Sequence, residues 1–354
     1  MKVLVVGSGF AGSSLSYFLC KQGIQVEIIT NPVFDISSSS MISAGIMLPF
    51  SGKRKTLSYN VSNALPFALD HYRNMQSHSK LKLLNDVPVL QLITEARDYN
   101  DWFSKSNEKE TAQFIDHINL STISNKLKNH IGYLQFGHAN AINSSELLKA
   151  YNISSPNCIY NPEHFEFEKL TINCNIIKYK NQDYDNLIFC EGYRIADNPY
   201  WNVLPFQPVK GEIIDIYAPD LKIDFILNGS LYIIPIGEDK YKVGATYNWK
   251  EINETPSLDG IQHMKSELEK MISTGFDVIN HKAGIRPAIQ DRRPVIGFHP
   301  EFKSIGIFNG LGTKGAMLSP YYANMMANHI VNNSPIDYEV SVDRFSKILK
   351  IQNQ

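Results

Sequence analysis

Three observations predict an α/β fold whose parallel sheet is interrupted by an inserted domain. The chain opens on a strand, a glycine-rich turn, a helix and a second strand. Strand-rich stretches, above all 211–247, lie between segments of alternating α/β character. A length of 354 residues exceeds one simple core and suits two domains. The expected parallel-sheet domain is discontinuous, at 1–80, 131–205 and 285–354. The inserted α+β domain, with a mixed or antiparallel sheet, takes 81–130 and 206–284.

Residues 2–6 read as a buried strand and Gly7 to Gly12 as the turn. Residues 10–22 place Ala11, Leu15, Phe18 and Leu19 on one side at helical spacing, and Gly23 ends that helix. Val26, Ile28 and Ile29 form the second strand, so a parallel βαβ-type opening follows. Ser37 to Ser40 alone would be a flexible loop, but SAGIMLP follows, and its small residues permit close backbone approach to a ligand. Helical patterns at Phe67 to Gln76 and Tyr99 to Glu108 alternate with a strand-like VPVLQLI at 87–93. Asn143 and Ser144 resemble a helix start. Tyr184 to Cys190 reads as a buried strand ending at Glu191-Gly192. Leu231 to Ile236 and Tyr241 to Tyr247 form a hairpin about Gly237-Glu238-Asp239, and a helix covers about 257–273.

The composition is 43% hydrophobic and 19% charged, with a formal net charge of -1, which is globular and without a polycationic stripe. Nucleic acid is not an expected partner on that ground. Short basic clusters such as Lys53, Arg54, Lys55 read as solvated faces. The apolar run Val3 to Val6 stops at Gly7, too short for a secretory signal, and no membrane span is expected. Cys20, Cys158, Cys174 and Cys190 lack metal-binding spacing, so no metal is expected and a reducing cytoplasm fits.

GSGFAG at Gly7 to Gly12 satisfies GxGxxG after a strand and at the mouth of a helix. Gly7 allows the tight turn, Gly9 lets backbone approach a pyrophosphate, and Gly12 permits close helix–strand packing, with Phe10 and Ala11 opening the helix. The fold class is therefore α/β with a Rossmann-like FAD/NAD(P)-binding domain. The second strand ordinarily ends in an acidic residue for the ribose hydroxyls; Thr30-Asn31 stands there instead, with Asp35 a poorly spaced fallback. The fingerprint alone leaves FAD and NAD both open.

PVKGEIIDIY (208–217), LYIIP (231–235), YKVGAT (241–246), AGIRPAIQDRRPVIG (283–297) and FNGLGTKGAMLSP (308–320) occur in that order. Together with GSGFAG and SSSSMISAGIMLP, they resemble the glycine oxidase and D-amino acid oxidase family of FAD-dependent oxidoreductases. The resemblance covers nearly the whole chain and is weakest at about 60 to 180. It implies an FAD domain interrupted by a substrate domain. It also implies a second flavin-contacting segment at Gly310, Gly312, Thr313, Lys314 and Gly315, where helix-start N–H groups meet the negative charge of reduced flavin. Ser43, Ala44, Gly45 and Gly192 join the expected cofactor contacts.

The resemblance further implies that Arg286 in AGIRP holds a substrate carboxylate, a task suited to a bidentate guanidinium, with Pro287 biasing it to an extended mount. The structural alternative pairs Arg286 with Asp291 or a nearby glutamate. Tyr232 matches a pocket-lining tyrosine, with a core tyrosine as the alternative; Tyr247 and Trp249 either wall the pocket or pack. His138, His281 and His299 lack spacing partners and read as loop or surface histidines. Where relatives can carry an arginine in the C-terminal loop, Thr313 stands, and no cysteine follows Cys190, so the FAD should be noncovalent.

The activity expected is two-electron oxidation of the C–N bond of a small amine or amino acid, by hydride transfer to flavin N5. Orientation supplies much of the acceleration. O2 or another acceptor takes the electrons, so oxidase and dehydrogenase stay open. The alternatives are a nicotinamide-dependent dehydrogenase, an amine-processing module of a macromolecule modification pathway, and a non-catalytic flavin-binding protein.

Overall fold

Unbroken branched aliphatics in the segment Lys2–Val6 (β1) make a strand buried on both faces, and Val3, Leu4 and Val5 are wholly buried. A computed structural model describes every residue except 33–36, 53–54, 174–175 and 352–354; Asp35, Lys53, Arg54 and Cys174 lie outside the described residues. Helix Phe10–Lys21 (α1) follows, then Gln25–Ile29 (β2). β1 lies between β2 and Asn186–Phe189, parallel to both.

The complete sheet runs Cys158–Asn161, β2, β1, Asn186–Phe189, Ile305–Asn309, Val295–Phe298. The first five strands are parallel and the last is antiparallel. Strand order reverses direction at β1, which makes its carboxyl end a topological switch point. The long helix Gly315–Asn332 packs along α1, where Ser14 Oγ donates to the Ser319 carbonyl at 3.4 Å. Serines 13, 14 and 16 and Ala316, Ser319 and Ala323 are all buried, and such small residues let the helices approach closely.

The second sheet has eight strands in the order Asp277–Arg286, Val209–Tyr217, Lys240–Gly244, Tyr232–Gly237, Ile226–Asn228, Val89–Ile93, Gly132–Phe136, Ile115–Asn119. Its pairs are antiparallel except Ile226–Asn228 beside Val89–Ile93. A mixed sheet results. Helix Leu258–Met271 covers one face, burying Met264 and Leu268 against Ile214 and Ile216. Ser257 caps it, its side chain accepting from Gly260 N–H at 3.0 Å.

Local elements differ from expectation in a few places. The strand read over Tyr184 to Cys190 divides at Asp185, whose N–H donates to the Lys2 carbonyl at 2.9 Å. Gln182–Tyr184 pairs in an antiparallel ribbon, while Asn186–Phe189 enters the parallel sheet. The helix read over Phe67 to Gln76 extends to Val61–Ser79. The hairpin strands are Tyr232–Gly237 and Lys240–Gly244, turned by Gly237, Glu238 and Asp239 at φ 91, 53 and 57°. Among the described residues, no helix is long and apolar enough to cross a membrane.

Candidate active site

Four parallel strands end on one side of the first sheet, and the residues after them wall a cavity of about 680 Å³ facing the second sheet. They contribute Gly7 and Gly9 after β1, Thr30 and Asn31 after β2, Cys190, Glu191 and Gly192 after Asn186–Phe189, and Asn309 at the end of its strand. The volume is that of a site for a sizeable organic ligand.

At the first turn Gly7 has φ +103°, and a Cβ there would stand 2.5 Å from the Cys190 carbonyl oxygen. Gly9 is the N-cap of α1 and brings no capping side chain, so the helix start faces the cavity with its backbone donors. Phe10 N–H donates to Ser40 Oγ at 3.0 Å, which ties the serine run to this turn. Phe10 and Ala11 line the cavity; Gly12 does not, because a Cβ on it would lie 1.8 Å from the Gly7 carbonyl. Gly12 thus serves packing beneath the site.

Thr30 and Asn31 line the cavity as expected from their place at the end of β2. Ser8 Oγ and Thr30 Oγ1 share a hydrogen bond of 2.5 Å. The carboxylate missing from the end of β2 reaches the wall from the neighbouring strand's exit: Glu163, ion-paired to Lys180 at 2.5 Å, beside His164. Ser43, Ala44 and Gly45 also line the wall, after a single helical turn capped by Ser38. Gly192 has φ +60°, and its carbonyl accepts from Asn309 Nδ2 at 2.9 Å. Burial raises Glu191 to about 7, with an opposing hydrogen bond from Asn198 Nδ2 at 2.7 Å.

A second helix start reaches the same cavity. Gly312, Thr313 and Gly315 line it, and helix Gly315–Asn332 has no side-chain cap at Lys314. Lys314 itself is not in the wall. Its Nζ lies 3.5 Å from the Leu48 carbonyl, and burial lowers it to about 8, so it is not an exposed loop lysine. Gly310 also stands behind the wall, where φ +76° and Val295 N at 3.2 Å from a built Cβ favour glycine.

The second sheet supplies the opposite wall. Gly211, Asn228, Ser230, Tyr232, Gly244, Tyr247 and Arg286 face the cavity. Arg286 Nη1 donates to the Thr246 carbonyl at 3.1 Å and the Lys210 carbonyl at 3.3 Å. Its guanidinium lies 4.3 Å from the centre of the Tyr247 ring. Gly211 makes the room: a Cβ there would fall 2.1 Å from Arg286 Nη2. Among the described residues no carboxylate ion-pairs with Arg286, and Asp291, the structural alternative, is bound by Arg344 Nε at 2.8 Å. Burial raises the Tyr232 hydroxyl, against the opposing pull of the Arg286 charge. Ile234, on the same strand, is core, whereas Ile236 is exposed.

The three histidines singled out from the sequence, His138, His281 and His299, are not in the cavity wall. His138 is exposed; His299 is buried, its Nδ1 accepting from Glu301 and Phe302 N–H; His281 Nε2 lies 2.7 Å from Glu212. His281 differs from the loop-or-surface expectation in lying part-buried on the strand Asp277–Arg286, whereas His299 lies in a loop but is buried there by the turn it caps. Glu254 is a wall residue that no sequence motif announces. It accepts from Tyr193 Oη at 2.9 Å, Arg194 Nη2 at 3.0 Å and Ser37 Oγ at 2.8 Å.

The model of the FAD dependent oxidoreductase (DAO) family matches residues 2–329. The chain belongs to this family. It is therefore an FAD-dependent oxidoreductase, and the cavity answers to the cofactor: two uncapped helix starts and a glycine turn open into one space, a donor set that fits an anionic dinucleotide. The bifunctional tRNA 5-methylaminomethyl-2-thiouridine biosynthesis protein of Campylobacter jejuni subsp. doylei is 23% identical over 84% of this chain and 46% of its own length. Bacillus subtilis glycine oxidase is 31% identical over 36% of this chain and 35% of its own. The chain thus spans about half the length of the first of these relatives and matches about a third of the second. Iminodiacetate oxidase from Chelativorans shares the fold at a TM-score of 0.81 and 18% identity, covering 96% of this chain and 98% of its own.

Proposed function

We propose that this family member oxidises the C–N bond of a small amine that carries a carboxylate, in the manner of glycine oxidase. The observation that carries the proposal is Arg286, a cavity-wall guanidinium with no ion-pair partner among the described residues. Its fork accepts a carboxylate through two parallel bonds, which fixes the direction of the Cα–H bond. Two carbonyls and the Tyr247 ring hold it in place, so little side-chain entropy remains to be lost on binding. Tyr232 closes the pocket beside it with a hydroxyl that stays protonated at neutral pH.

When bound, FAD would supply a two-electron acceptor for oxidation of the amine: loss of a hydride equivalent from Cα gives a protonated imine, which water would hydrolyse to the carbonyl and the ammonium. Gly7, Gly9, Phe10 and Ala11 would hold its pyrophosphate, Thr30 and Asn31 the ribose side, Ser43, Ala44, Gly45 and Gly192 its length. Gly312, Thr313 and Gly315 would face the edge of the ring where negative charge gathers. Gly12, Gly310 and Lys314 support these residues from behind. Cys190, the wall cysteine, is pushed far up by burial and stays a thiol, consistent with a noncovalent cofactor. We place the domain boundary so that Gly132–Phe136 goes with the substrate sheet.

Anaerobic spectroscopy with glycine, sarcosine, D- and L-amino acids and simple amines tests the proposal. Bleaching of the bound flavin by a carboxylate-bearing amine is expected; bleaching only by amines without a carboxylate overturns it. Oxygen consumption by the same substrate then separates oxidase from dehydrogenase.

A second reading has its own support. The relatives that cover 84% of the chain are tRNA-modification proteins, whereas the glycine oxidase match covers 36%. The oxidised amine then belongs to a modified tRNA nucleoside. Flavin reduction by such a tRNA, with every free amino acid inert, would select this reading.

A further inference from the structure

Lys210 and Glu212, in the stretch PVKGEIIDIY, are buried charges that the chemistry above leaves unused. Side chains alternate across a strand, and Val209–Tyr217 separates two faces in this way. Gly211 and Ile213 line the cavity. Lys210, Glu212 and Ile214 are buried on the other face, where Ile214 packs with Met264 and Leu268 of the covering helix. The neighbouring strand alternates in step. Gly284 and Arg286 line the cavity, while His281, opposite Ile214, brings its Nε2 within 2.7 Å of Glu212.

On the covered face Lys210 Nζ lies 3.6 Å from Glu212 Oε1, and both side chains are almost wholly buried. Lys210 Nζ also donates to Asn253 Oδ1 at 3.0 Å and to the Thr255 carbonyl at 2.6 Å. Glu212 accepts from Ser257 N–H at 2.9 Å and from Ser257 Oγ at 2.7 Å. Gly260 leaves room for this carboxylate, since a Cβ there would stand 2.4 Å from Glu212 Oε2. Burial pushes the Glu212 carboxyl up, but Ser257, the Lys210 charge and His281 outweigh it and hold it below its ordinary value. An ion pair taken out of water is often no more stabilising than uncharged side chains of similar volume. Stability alone therefore does not account for this pair.

Its consequence lies on the opposite face. The backbone of Lys210 exchanges both hydrogen bonds with Asn248, at 2.9 and 3.0 Å. Glu212 pairs with Thr246: its carbonyl accepts from Thr246 N–H at 3.1 Å, and its N–H donates to Thr246 Oγ1 at 2.9 Å. The same two residues thus hold segment 246–257 twice, near its start by backbone and near its end by side chain. The Lys210 and Thr246 carbonyls are the acceptors of Arg286 Nη1, and the Tyr247 ring lies against the guanidinium.

We propose that Lys210 and Glu212 are positioning residues for Arg286: the buried pair ties segment 246–257 to the sheet, and so fixes the two carbonyls and the ring that orient the guanidinium in the cavity. This rests on the carboxylate role of Arg286 argued above. Neither charge touches the substrate; both act through the backbone that joins the two faces.

The test is a mutant cycle on the holoprotein. Lys210→Met/Glu212→Gln removes both charges and nearly conserves volume, and it is made in wild type and in Arg286→Ala. Each protein is titrated anaerobically with (methylthio)acetate and with its uncharged counterpart (methylthio)acetamide, read by the flavin spectrum. In wild type the double substitution should leave flavin content and melting temperature nearly unchanged. It should weaken the carboxylate probe about tenfold and the amide not at all. In Arg286→Ala it should cause no further loss, because the side chain it acts through is already gone. Carboxylate binding equal to wild type, equal loss of both probes, or a loss repeated in full in Arg286→Ala overturns the proposal. If the double variant does not fold, Asn253→Ala, which removes one Lys210 acceptor at an exposed position, decides. Carboxylate binding about threefold weaker supports the proposal, and an unchanged value overturns it. If Arg286→Ala binds the carboxylate probe as well as wild type does, or wild type binds none, the role of Arg286 itself falls, a result distinct from failure of the pair alone.

Discussion

Arg286 shows how a single side chain gets its role from its surroundings. Its charge is held by carbonyls and a ring, while Asp291, nearest in sequence to a partner, is taken by Arg344. Arg286→Ala should weaken a carboxylate substrate about tenfold to a hundredfold, the worth of a charge-assisted hydrogen bond, with flavin content unchanged. Steady-state KM and the flavin-to-protein absorbance ratio check both halves. Gly211→Ala should reproduce part of this loss, because the added methyl occupies the space of the guanidinium. That Arg286 lines the cavity was legible from AGIRP, but its need for Gly211 was not, since the two meet only when Val209–Tyr217 pairs with Asp277–Arg286. Gly7, Gly9 and Gly12 were legible because their turn is local. Gly12→Ala should fail to retain FAD, as its methyl would strike the Gly7 carbonyl; the absorbance ratio of the purified protein reads it directly.

At the scale of the element, strand exits decide the site. The sequence revealed which segments are strands, yet Glu163 and Glu191 become wall residues only because their strands lie beside β2 and β1. Glu191 carries a testable consequence. Its folded value of about 7 stands above the ordinary 4.5, so the folded protein binds this proton more tightly than the unfolded chain. Stability from this group is present in acid, falls as pH rises from about 4.5 to about 7, and stays low above that. In the apoprotein, Glu191→Gln should therefore melt higher than wild type at pH near 8, and the difference should shrink towards acid. Thermal melts across that window give the answer. The hairpin 232–244 and the capped helix at 258 needed no such long-range information, because turn and cap residues announce themselves.

At the scale of the whole molecule, the cavity lies between two sheets and is bridged by Glu254, which binds Ser37, Tyr193 and Arg194 across it. Glu254→Ala should speed limited proteolysis within 246–257 of the apoprotein while leaving the far-ultraviolet circular dichroism unchanged. This bridge was invisible in the sequence, because its partners lie 60 and 217 residues away. A larger consequence follows from the two bare helix starts that share one space. Each presents a partial positive charge that no side chain of its own offsets. With the flavin ring held against the second of them, as proposed above, an electron pair added to it would gain electrostatic stabilisation that the oxidised ring would not. Potentiometric titration of the holoprotein should accordingly give a midpoint potential above that of FAD free in water, so that the protein draws electrons from its substrate more readily than the cofactor does unaided.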